Sequence, residues 1–182
     1  MDPHQLITES LEATPVVRDG CIVADPSRDL AKLAVIERHG HNGNIGLGLI
    51  QGFKLTRGAL ASTIGHDSHN LAVVGINDED MALAARAVAD AGGGQAVAAE
   101  GEVLAVLPLP IAGLISPEPA ATVVAQQQAL LDAAHTLGCP IEDPFMPLSF
   151  MPLVVIPHLK LSDKGLVDVD RFDFTPLVID DH

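Results

Sequence analysis

Residues 59–75 read ALASTIGHDSHNLAVVG. Two apolar runs, one around Leu60, Ala61 and Ile64 and one at Leu71, Ala72, Val73 and Val74, flank the polar residues His66, Asp67, Ser68, His69 and Asn70. Short apolar runs bounded by a polar cluster read as neighbouring strands joined by a turn. The joint itself is unusual, because burying the runs gives no reason to place two imidazoles and a carboxylate between them.

Upstream, LAKLAVIERH and NIGLGLIQGF precede this stretch, separated from each other and from it by GHNG and KLTRG. With the two runs above they make four strands with short, glycine-containing connections, which is the pattern of an antiparallel sheet. Downstream, NDEDMALAARAVADAGGG predicts a helix over about Asp78 to Ala91. Asn77 is its N-cap, three acids meet its dipole, and a glycine run stops it. Met81, Ala84, Ala85 and Val88 share one face of that helix. QAVAAEGEVLAVLPLP then reads as a hairpin turning at Glu100-Gly101.

Ser116 before Pro117 predicts a second helix to Leu137, with Val123, Val124, Leu130, Leu131 and Ala134 on its apolar face and Gly138 and Pro140 ending it. The expected fold is α+β: a mixed, mostly antiparallel sheet with two amphipathic helices packed on it and an extended Pro-rich C-terminal segment. The expected organisation is an extended leading segment over 1–29, with one strand and a turn, an α+β domain over 30–144, and a tail over 145–182 lying on that domain or on a partner.

The whole chain has 182 residues, 48% hydrophobic and only 3% aromatic, so its core is built from Ala, Val, Ile and Leu. Ten Lys and Arg against 24 Asp and Glu leave a net charge of −14, which repels a phosphate backbone. With no Trp or Tyr to stack on bases, nucleic acid is not an expected partner. MDPHQLITES has neither a basic n-region nor an apolar h-region, and no apolar run reaches membrane-spanning length, so a cytoplasmic location is expected. Cys21 and Cys139 fit two free thiols in a reducing compartment and are also compatible with one disulfide.

Two histidine groups can bear chemistry. His39-Gly40-His41 has the H-x-H form that sets two imidazoles on one side of a strand, and His66-Asp67-Ser68-His69 adds two more around a carboxylate. The plainer reading makes both of them polar turns, with Asp67 and Ser68 bonding local amides. Glu37-Arg38 reads as a local ion pair. GNIGLGLIQG superficially looks like a dinucleotide loop, but no helix follows it, and close strand approach is the better account of its glycines. No P-loop, G-x-S-x-G, C-x-x-C or H-E-x-x-H occurs. A closed zinc site is not expected at His66–His69, because Cys21 and Cys139 are far from it in sequence.

LAVIERH, GLIQGFKLTRGALASTIGHDSHNLAVVGINDEDMALA, GEVLAVLPLPIAGLIS and LGCPIEDPFMPLSFMPLVVIPHLKLSDKGLVDV, spread from about Leu30 to Val169, resemble the C-terminal domain of bacterial adenine deaminases. The resemblance implies membership in an enzyme of the amidohydrolase superfamily that converts adenine and water to hypoxanthine and ammonia in purine salvage. It also implies a divalent metal (Mn, Fe or Zn) in a (β/α)8 barrel. Such a barrel takes about 250 residues and is not in this chain. The barrel, on the same or a separate polypeptide, is therefore the expected partner, adenine the substrate of the complete enzyme, and homo-oligomerisation an open expectation.

On that resemblance the substrate-side candidates are His66, Asp67, Ser68, His69 and Asn70, which contact the purine or orient a group on the barrel. Glu37, His39 and His41 are weaker candidates, no metal ligand is expected in the chain, and no catalytic residue is assigned to it. Where the family's pattern has paired histidines after Glu-Arg, this chain reads ERHGHNGNIG. The other expectation, from a different class, is a free-standing binding or assembly module that keeps the fold without catalysis.

Overall fold

In the computed structural model, residues 6–179 are described. The outermost residues of the leading segment and of the tail, 1–5 and 180–182, lie outside them, and so does part of the N-terminal stretch read above for a leader. The strands are β1 (Val16–Arg18), β2 (Cys21–Val23), β3 (Ala31–Ile36), β4 (Ile45–Ile50), β5 (Ala59–Ser62) and β6 (Leu71–Gly75). Helix α1 (Asp78–Asp90) follows, then β7 (Gly94–Ala99), β8 (Glu102–Pro108), α2 (Ala120–Thr136) and α3 (Phe145–Ser149). The last elements are β9 (Leu159–Ser162), β10 (Gly165–Asp168) and β11 (Asp173–Phe174).

The main sheet has the order β4-β3-β6-β5-β7-β8 and every neighbouring pair is antiparallel. All four apolar runs of the upstream half form its strands. The Glu100-Gly101 hairpin is also present, with both residues at positive φ, 57° and 79°, as a tight two-residue turn requires. Alternation along the strands divides the core in two. On one face Ala34, Ala59, Ala61, Val73, Ala96 and Ala98 meet Met81, Ala84 and Val88 of α1. Alanine on both sides lets that helix lie close to the sheet. On the other face Leu33, Val35, Leu60, Val74 and Val97 pack with Leu130, Ala134 and Leu137 of α2 and its end, and with Phe145, Leu148 and Leu161.

Asn77 caps α1 as expected, its side chain accepting from the Asp80 N–H at 2.7 Å. Helix α2 begins three residues later than Pro117. Glu118 precedes Pro119, which drives it out of the helical region, so the Ser116 hydroxyl accepts from the Glu118 N–H in a turn instead of capping a helix. Val124 is 68% exposed and stands off the apolar face, which runs through Val123, Leu130, Ala134 and Leu137.

The Pro-rich segment is less extended than its composition suggests. It contributes the short helix α3, and β9, β10 and β11 form a three-stranded antiparallel sheet that lies against β4. Glycines make that contact possible, since a Cβ added at Gly46 would collide with the Ser162 carbonyl. In the leading segment β1 and β2 form a hairpin, so it holds two strands where one was expected. Cys21 is exposed and Cys139 is buried, both as free thiols. No described helix is long and apolar enough to cross a membrane.

Candidate functional site

Antiparallel order brings the ends of β3 and β5 and the starts of β4, β6 and β7 to one edge of the sheet, as the registers Ile36↔Leu71, Ile36↔Ile45 and Ser62↔Gln95 require. The loops 37–44 and 63–70 therefore emerge side by side, and both histidine groups are on them.

Glu37 organises the first loop. Its carboxylate accepts from the backbone N–H of His39 at 2.6 Å, His41 at 3.1 Å, Asn42 at 3.3 Å and Gly43 at 3.2 Å. Desolvation acts to raise its pKa, but the donors from Gly43, Asn42, His39 and His41 prevail and bring it down to about 2. The expected Glu37–Arg38 ion pair is not formed. Adjacent residues leaving a strand point to opposite sides, and Arg38 reaches across the edge instead. Its Nε donates to the His69 carbonyl at 2.5 Å and its Nη2 to the Ala112 carbonyl at 2.7 Å. The guanidinium rests over Gly113, where a Cβ would come within 2.6 Å of Nη2. One arginine thus ties together three loops of the edge, and burial acts to lower its pKa.

The H-x-H geometry is also corrected. His39 and His41 lie beyond the end of β3, in the loop, so no strand sets their rings on a common side. Both residues are exposed; His39 reaches the neighbouring loop, its Nε2 2.7 Å from the Ser68 carbonyl.

In the second loop His66 stacks on Phe150, ring centroids 4.5 Å apart and planes within 9°, and its N–H donates to the Ser149 carbonyl at 2.8 Å. The His66 and His69 rings are 6.5 Å apart. The His69 N–H closes the turn onto the Gly65 carbonyl at 2.7 Å. Burial lowers the His69 pKa, the nearby charges of His66 and Arg38 lower it further, and Asp67 opposes them. The ring is therefore neutral at pH 7. Its Nδ1 faces the Gly65 N–H at 3.4 Å, which makes Nδ1 the acceptor and leaves the proton on Nε2.

Asp67 and Ser68 form the exposed apex, and the Ser68 hydroxyl accepts from the Asn70 N–H at 3.3 Å, as the turn reading anticipated. Asn70 is buried. Its Nδ2 donates to Asp163 at 3.2 Å, while its Oδ1 has no hydrogen-bond partner.

The structure brings Glu37, His39, His66, Asp67, Ser68, His69 and Asn70 to one edge and leaves His41 at its rim. Sequence reasoning missed Arg38 as an organiser, Thr63, which donates to the Gly113 carbonyl at 2.7 Å, and the tail residues Ser149, Phe150 and Asp163 that hold the loop from below. An arginine directly after a strand was the only local signal for any of these.

The donors do not fit a metal. His39 is engaged with a carbonyl and His66 is stacked, and no group of three or more His, Cys, Asp or Glu among the described residues is arranged to hold an ion.

Fold and site together define an α+β domain that presents a histidine-rich polar edge without a metal centre among its described residues. The family model described as the adenine deaminase C-terminal domain matches residues 5–173, and the chain belongs to that family. It is 56% identical over 175 residues to an adenine deaminase of Oleidesulfovibrio alaskensis, covering 96% of this chain and 31% of that protein. Adenine deaminases of Desulfatibacillum aliphaticivorans and Cereibacter sphaeroides are 52% and 53% identical, again with 96% of this chain and 31% of theirs covered. The chain thus spans less than a third of the length of these curated relatives.

Proposed function

We propose that the chain serves as the C-terminal domain of an adenine deaminase that converts adenine and water to hypoxanthine and ammonia for purine salvage. The observation that carries this reading is the family match over 5–173 together with the 31% coverage of enzymes bearing that name. Any metal the reaction uses belongs to the catalytic barrel outside this chain, and no chemical step is assigned to these residues.

Their part is to bind and orient. The neutral His69 presents a donor at Nε2, suited to a purine ring nitrogen, and the exposed Asp67 presents an acceptor suited to a purine N–H. Glu37 and Arg38 keep the two loops in register, and His39 supports the apex through the Ser68 carbonyl.

Two proteins test the reading: the chain alone, and a chimera in which it replaces the aligned 175 residues of the Oleidesulfovibrio alaskensis enzyme. The chain alone is expected to release no ammonia from adenine, and the chimera to deaminate it. Chelator-sensitive deamination by the chain alone, or a folded but inactive chimera, contradicts the proposal. The second of these results favours the non-catalytic module.

A further inference from the structure

Large side chains lie uncovered where the first and last described segments meet. Leu6 and Ile7 are 42% and 45% exposed, and Phe172 and Phe174 are 83% and 57% exposed. With only five phenylalanines and no Trp or Tyr in the whole chain, leaving two of them in water is costly unless something covers them.

The backbone places Leu6, Ile7 and Phe172 near one another. Thr8 bridges His158 in parallel, with the His158 N–H donating to the Thr8 carbonyl at 2.7 Å. Val169 in turn donates to the His158 carbonyl at 2.9 Å, and Phe172 to the Val169 carbonyl at 3.3 Å. Lys160 Nζ meets the leading segment by donating to the Leu6 carbonyl at 2.9 Å. Leu6, Ile7 and Phe172 therefore share the open end of the β9–β10 hairpin, whereas Phe174 pairs with Val167 on the far edge of the small sheet. Asp170, Arg171 and Asp173 flank Phe172 in the chain and are exposed, so the margin carries both signs of charge.

The occupant follows from the length of chain outside the structure. In the relatives about two thirds of the polypeptide lies outside the matched region, and the family is a C-terminal domain, so that length joins it at the Leu6 end. We infer that the surface formed by Leu6, Ile7 and Phe172 docks the preceding catalytic portion of the deaminase through an apolar patch. An apolar centre with a charged rim is the usual build of such an interface.

The other end of the same hairpin holds Asp163, the partner of Asn70. Four residues of strand span roughly 13 Å. Docking at one end therefore sets the histidine edge within about that distance of the interface.

The inference rests on the reading that a catalytic portion accompanies the chain, but its test does not use turnover. In a Cys21→Ser background, Phe172→Cys, Ile7→Cys and Val124→Cys are each labelled with a thiol reagent in the isolated chain and in the chimera. Phe172→Cys and Ile7→Cys are expected to react at least about tenfold more slowly in the chimera, while Val124→Cys on the outer face of α2 reacts equally in both. Equal rates at Phe172→Cys, or equal protection of Val124→Cys, overturn the inference. So does protection already present in the isolated chain that grows with its concentration, which would make the occupant a second copy. Protection in a chimera that does not deaminate adenine upholds the docking surface and counts only against the functional reading.

Discussion

Each end of the main sheet holds a carboxylate inside a ring of donors, and the two rings serve different purposes. At the end where α1 begins, the buried Asp80 accepts from Asn77 Nδ2 at 2.7 Å and from the Gly101 N–H at 3.0 Å, tying the helix start to the β7–β8 turn. At the opposite end Glu37 gathers four backbone N–H groups of a single exposed loop. Asp80 closes the structure on itself. Glu37 folds a loop so that an imidazole is carried across to the neighbouring loop, and this difference sets an edge that ties elements of the core together against one that shapes an exposed loop.

Removing Asp80 is the largest expected perturbation. Asp80→Ala strands the Gly101 N–H and frees the Asn77 amide, and is expected to cost about 2 kcal/mol in urea denaturation. A loss below about 0.5 kcal/mol would erase the contrast. Burial acts to raise the Asp80 carboxyl, but Asn77, the Gly101 and Glu100 backbone and the charge of Arg57 prevail and hold it below the usual range. Its contribution is therefore present at neutral pH and lost as the carboxyl protonates in acid.

Glu37→Ala is expected to leave the denaturation midpoint closer to wild type while the amides of Asn42 and Gly43 exchange faster. The carboxyl lies at about 2 in the folded chain against an ordinary 4.5, so its grip is complete above about 4.5 and released as pH falls towards 2. An NMR titration of the Gly43 amide should follow that release. A Gly43 signal that stays flat over this range would show that the carboxylate does not hold the loop.

The smallest effect is expected at Lys160, which is buried with the Leu6 carbonyl as acceptor and whose pKa burial lowers to about 8. A lysine pKa depressed on folding means that the folded chain binds fewer protons between about 8 and 10.5, so stability rises with pH through that window. Lys160→Met should flatten that rise and leave stability at pH 7 unchanged or raised by about 1 kcal/mol. A loss of stability at pH 7 would instead make this lysine a necessary clasp for the leading segment.

The strands and α1 were legible because their signals are local: alternation, the Asn77 cap and the Glu100-Gly101 turn. The start of α2 was legible too, had the restriction that Pro119 places on Glu118 been weighed against the Ser116 cap. The tail was not, because prolines obscure periodicity, and Phe145, Leu148 and Leu161 are buried by contacts with a sheet assembled some 70 to 130 residues earlier in the chain. The same holds at the site. The residues of HDSHN stand out in sequence, whereas the stack of Phe150 on His66, 84 positions apart, exists only once α3 lies on β5 and β6, and the bond between Asp163 and Asn70 only once β9 and β10 lie on β4. Arg38 was misread because its nearest opposite charge was adjacent in sequence, and a strand end turns that neighbour away.

The proposed role of the 66–70 loop puts its apex towards the substrate. It is tested most directly by Asp67→Ala and His69→Ala in the chimera, with kcat, KM, bound metal and melting temperature measured on the same preparations. Adenine turnover is expected to fall at least about tenfold while metal content and melting temperature stay near those of the parent. Full activity in both variants, or a loss of activity matched by a loss of stability, would contradict it and leave the loop a polar turn.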